Sequence, residues 1–100
     1  MRFILLAFGQ DLTIYYQACF CVLSLLRKPY TQRITVLTDH PKLFRYFAGK
    51  IEIERLSNQK LEKWKGPADF FWRIKIKAIM EMINRFPGEH IVYLDADTFL

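Results

Sequence analysis

One hundred residues with an apolar share of 52% describe one small domain, residues 1–100, with ample material for a packed core. The net charge of +5 is spread over Lys28, Arg33, Lys42, Lys50 and Lys60, with a closer group from Lys63 to Lys77 and no uninterrupted Lys/Arg block. That scatter argues for a solvated, modestly basic surface and against a nucleic-acid partner. The apolar stretches at 3–8 and 12–26 fall short of the ~20 residues of a membrane span, and Gly9-Gln10-Asp11 interrupts the first too early for a secretory signal. Cys19 and Cys21, two apart in a helical stretch, face different ways and read as small core or near-core thiols of a reducing compartment. The expectation is a soluble, cytoplasmic protein with no membrane span.

In chain order, residues 3–8 form a continuous apolar run, as a strand covered on both faces requires. Gly9 ends it, and Asp11 is placed to cap a helix over 12–27 that Pro29 stops. The β-branched run 34–38 predicts a second strand, and Asp39-His40-Pro41 a turn into a short helix over 42–47. Residues 51–54 alternate strictly, the pattern of an edge strand with one face in water. The polar stretch 58–68, with Gly66-Pro67, reads as a loop in which Trp64 serves as packing. A helix is predicted over 71–86, with Trp72, Ile76, Ile79, Met80, Ile83 and Phe86 as its apolar stripe and Arg73, Lys77, Glu81 and Asn84 on its polar side. Pro87-Gly88 ends it, and 91–94 forms the last strand. The alternation predicts an α/β fold, a three-layer Rossmann-like parallel sheet with helices on both faces and the strands in the order third, second, first, fourth.

That last strand, Ile91-Val92-Tyr93-Leu94, runs into Asp95-Ala96-Asp97. Open parallel sheets bind ligands at the carboxyl edge of their strands. Two carboxylates there, one residue apart, offer hard oxygens suited to Mg²⁺ or Mn²⁺, with water and a bound pyrophosphate completing the shell. A solvent-facing acidic turn after a strand has the same composition. His40 and His90 each stand alone beside a turn, with no ligand spacing to another residue.

The run Tyr93-Leu94-Asp95-Ala96-Asp97-Thr98-Phe99 resembles the Asp-x-Asp signature of glycosyltransferases of the GT-A fold, the group that includes glycogenin and the bacterial lipooligosaccharide galactosyltransferases. Trp72-Arg73-Ile74-Lys75 strengthens the resemblance, since family members carry a basic residue there. The resemblance implies that the chain is the amino-terminal, donor-binding half of such an enzyme, truncated after the Asp-x-Asp strand. It would take a nucleotide-sugar, a UDP-sugar foremost, for an unspecified acceptor. By itself such a half is expected to bind donor without transferring sugar. Asp97 would be the main ligand of Mn²⁺ or Mg²⁺, and Asp95 a contact shared between the metal and the donor ribose. Arg73 and Lys75 would meet the diphosphate or sugar, and Ala7, Phe8 and Gly9 would lie where the family holds the base and ribose. Phe8-Gly9-Gln10 departs from the Asn, Asp or Tyr found around that turn, which leaves the base open. Asp39 is placed either to accept from a uracil ring or to cap the next helix.

Two other enzyme classes place acids behind an apolar strand. A haloacid-dehalogenase-like phosphatase would use Asp95 as nucleophile and Asp97 as general acid. Its motif, however, opens the domain and continues with Gly, where this chain has Thr98-Phe99 after three earlier strands. A P-loop ATPase is disfavoured because no Gly-x-x-x-x-Gly-Lys-Ser/Thr occurs. A non-catalytic nucleotide-binding module is the third reading.

Overall fold

The computed structural model describes residues 1–28, 33–67 and 71–95, apart from the side chains of Phe71 and Trp72. β1 (Arg2–Ala7) is buried at every position, because layers pack on both of its faces. Phe3, Leu5 and Ala7 point into one core, and Ile4 and Leu6 into the other. This is why the run is continuously apolar rather than alternating.

Around it lie β2 (Arg33–Thr38), β3 (Glu52–Arg55) and β4 (Ile91–Leu94) in one parallel sheet of order β3-β2-β1-β4. Ala7 pairs with Thr38 across β1–β2, and Leu5 with Leu94 across β1–β4. The order expected from the alternating elements is the order observed, with the strictly alternating segment at an edge.

One face is covered by α1 (Leu12–Leu26) and a 3-10 helix (Pro41–Phe47). α1 places Tyr15, Ala18, Cys21, Val22 and Leu25 against Phe3, Leu5, Ile34 and Val36, with Phe44 and Phe47 closing the side. Each large apolar side chain removed from water in this way contributes roughly 1.5–3 kcal/mol. Cys21 is buried and Cys19 half-buried, and neither is in a disulfide.

The other face carries α2 (Asn58–Lys65) and α3 (Phe71–Arg85). Two expectations are corrected here. The polar stretch 58–68 is not all loop. Ser57 caps α2 by accepting from the Lys60 N–H at 3.1 Å, and Leu61 and Trp64 anchor the helix in the core. Both belong to the buried cluster that also holds Leu6, Leu37 and Ile74, with α3 as the neighbouring helix.

The core face of α3 is also rotated from the expected stripe. Ile74, Ala78 and Met82 are fully buried, with Ile79 and Phe86 packed beside them, while Ile76, Met80 and Ile83 are half exposed. Apolar residues occupy nearly the whole circumference of this helix, so period alone admits more than one face. Ala78 selects the observed one, since a small residue at the centre lets the helix approach the sheet. The side chain of Trp72 lies outside the described residues. No helix among the described residues is long and apolar enough to cross a membrane.

Candidate functional site

With all four strands parallel, Gly9, Asp39 and Asp95 each follow a carboxyl end and emerge at the same edge of the sheet. The chain passes from β1 through α1 to β2 on one side, whereas β4 lies on the other side of β1. The carboxyl ends of β1 and β4 therefore flank the switch point, where open α/β sheets leave a crevice. A cleft of about 440 Å³ opens there, lined by Phe8, Gly9 and Gln10 of the first turn, Ile14 of α1, Lys75 of α3 and Tyr93 of β4.

Ala7, expected beside the base and ribose, is instead fully buried in the core beneath α1 and does not line the cleft. Gly9 takes φ +114°, in the region that L side chains rarely adopt, with open space where a Cβ would stand. Conformation rather than crowding calls for glycine at this position.

At the lip of the cleft, Lys75 Nζ donates to Asp95 Oδ1 at 2.9 Å and lies 5.3 Å from the centre of the Tyr93 ring. Burial first, and then the neighbouring Asp95 carboxylate, raise the Tyr93 phenol well above its ordinary value. It therefore remains a neutral donor at any physiological pH. The Asp95 side chain, held by Lys75 and hydrogen-bonded by Tyr93, is still 59% exposed. Asp97 lies outside the described residues. Among the described residues no three His, Cys, Asp or Glu side chains cluster as a metal set.

Arg73 is exposed and lies across the end of α2, where a Cβ on Gly66 would stand 3.0 Å from its Nε. Lys75, half a turn further on, is the basic residue of α3 that lines the cleft. Asp39 is engaged within the protein. One oxygen accepts from the Gly9 N–H at 3.2 Å and the other from the Tyr15 hydroxyl at 2.5 Å. It does not cap the following 3-10 helix, whose N-cap is His40 without a side-chain bond. His40 is exposed, edge-on to the Tyr15 ring.

Three contributors went unread in the sequence: Ile14, Tyr15 and Tyr93. Tyr15 carried a signal, being a phenol inside an otherwise apolar helix face, which must find a polar partner when buried. No protein-family model, curated protein or solved structure matches this chain.

Proposed function

We propose that this chain is the donor-binding portion of a metal-dependent glycosyltransferase of the GT-A type, taking a nucleotide-sugar, UDP-linked foremost, in the cytoplasm. The observation that carries the reading is the position of the Lys75–Asp95 pair. A cation and a carboxylate of the Asp-x-Asp run stand together at the lip of a largely apolar cleft at the switch point of a parallel sheet. The apolar walls, Phe8, Ile14 and Tyr93, suit a flat ring, and the charged lip suits a diphosphate.

The donor chemistry fits Mn²⁺ or Mg²⁺: the exposed carboxylate of Asp95 offers hard oxygen at a strand end. Asp95 and Asp97 would hold the ion, which when bound would offset the charge of a diphosphate leaving group. Lys75 neutralises Asp95 in the free protein and is placed to turn to a phosphate oxygen. Arg73, which lies across the end of α2 and does not line the cleft, is left out of this contact. Gly9 lets the backbone of the turn approach the ligand without a side chain intervening.

Calorimetric titration of UDP with and without Mn²⁺ tests this reading. Mn²⁺ is expected to tighten UDP binding by about tenfold, worth ~1.4 kcal/mol, in the parent chain. In Asp97→Asn that gain should vanish. Equal UDP affinity in all four titrations rejects the metal site.

A further inference from the structure

Tyr15 is 1% exposed, yet its hydroxyl stands 2.5 Å from both the Gly9 carbonyl oxygen and Asp39 Oδ1. A phenol has one proton to donate, so the two acceptors share it. Burial and the Asp39 carboxylate keep that proton on Tyr15. Asp39 Oδ2 accepts from the Gly9 N–H at 3.2 Å. Both polar groups of Gly9 are thus held by side chains, one from α1 and one from the end of β2. His40 Nε2 stands 3.9 Å from Asp39 Oδ2, beyond hydrogen-bond reach.

The turn held in this way is a wall. Phe8, Gly9 and Gln10 line the cleft between β1 and β4 and also a second hollow, of about 540 Å³, on the α2 side. Where the turn sits therefore sets the width of the cleft. Left to itself, a glycine at φ +114° has many alternative conformations of similar energy.

We propose that Tyr15 and Asp39 are positioning residues that latch the β1–α1 turn, so that Asp39 acts on a bound nucleotide through Gly9 and not by touching it. The inference rests on the nucleotide reading for its ligand only; the latch is a property of the free chain.

The test combines residue-resolved amide exchange at Gly9 with UDP titration, on the parent and on Tyr15→Phe, Asp39→Asn and Tyr16→Phe. Tyr15→Phe keeps the buried ring and removes only the shared proton. Gly9 exchange is expected to quicken about tenfold in Tyr15→Phe and Asp39→Asn, as one hydrogen bond is lost in each. UDP affinity is expected to fall about fivefold in both, the cost of ordering a loosened turn. Tyr16, exposed on the next position of α1, is the control and should change neither reading. Parental Gly9 exchange in Tyr15→Phe overturns the latch. Loss of UDP affinity in Asp39→Asn alone also overturns it and makes Asp39 a direct ligand. A parent chain that binds no UDP removes the nucleotide reading, and the latch then stands or falls on Gly9 exchange.

Discussion

At the amino edge of the sheet, one guanidinium is closed in by the protein on every side. At the carboxyl edge, a lysine and a carboxylate face a cleft. Arg2, 4% exposed in its side chain, donates to Glu89 at 2.8 Å, to Thr35 at 2.9 Å and to Glu52 at 2.9 Å, and it lies 3.6 Å from the centre of the Phe86 ring. Arg33 adds a second ion pair to Glu89. Arg2 opens β1 and its partners come from β2, β3 and the residues just before β4, so one side chain ties together all four strands. At the other edge, Lys75 and Asp95 are 27% and 59% exposed and remain within reach of a solvent-borne ligand. A parallel sheet has two polar ends, and here one is closed by ion pairs while the other opens on a cleft. The comparison teaches that a charged residue at a strand end must be read by its burial, since the same residue types serve either purpose.

The largest expected effect that would break this contrast lies at the closed edge. Arg2→Met removes the charge that Glu89 and Glu52 surround. The cost should be about 2 kcal/mol, below the ~3–5 kcal/mol of a wholly buried pair because Glu52 is half exposed. Thermal unfolding should show it as a fall of about 10 °C in Tm, with UDP affinity unchanged. Weakened UDP binding in this variant would mean that the two edges are not separate. At the open edge the pattern reverses. Lys75→Met is expected to weaken UDP binding about fivefold, the worth of ~1 kcal/mol for one charge-assisted contact in an exposed site. Its stability should stay within ~0.5 kcal/mol of the parent, as for other exposed ion pairs.

The smallest effect sharpens the comparison through pH. The hydrogen bond from Arg2, followed by the charges of Arg2 and Arg33, holds the Glu89 carboxyl below its ordinary value of 4.5. A carboxyl depressed in the folded state contributes stability that is present above the unfolded value and is lost as pH falls through the folded one. Acid unfolding of the parent should therefore steepen below about pH 4.5, and Glu89→Gln should flatten that limb while leaving stability at pH 7 pH-independent. An unchanged acid limb in Glu89→Gln would remove Glu89 from the clasp.

The sheet order, the edge position of β3 and the double-sided burial of β1 were legible because each follows from the period of apolar residues in a short segment. α2 was not legible from period, since only Leu61 and Trp64 of its eight residues are buried. Its one local mark was Ser57, three residues before the Lys60 amide it caps. The cleft was legible in part. Asp95 was named from its place behind a strand, and Phe8, Gly9 and Lys75 from the family resemblance. Tyr15 and Tyr93 were not, because their roles depend on what stands opposite them.

By itself, the sequence determined the elements, their parallel pairing and the gathering of Gly9, Asp39 and Asp95 at one edge, since hydrophobic period and chain alternation are local properties with few topological solutions. Only the tertiary structure decided which face of α3 is buried, that Arg2 is a clasp and Lys75 the basic lip of the cleft, and that the two oxygens of Asp39 are bound by Gly9 of the first turn and Tyr15 of α1. Those outcomes depend on distances between residues far apart in the chain: Gly9 and Asp39 are thirty positions apart, and Arg2 and Glu89 eighty-seven. Burial and hydrogen bonding at such separations are settled by how the layers pack, which no local pattern encodes.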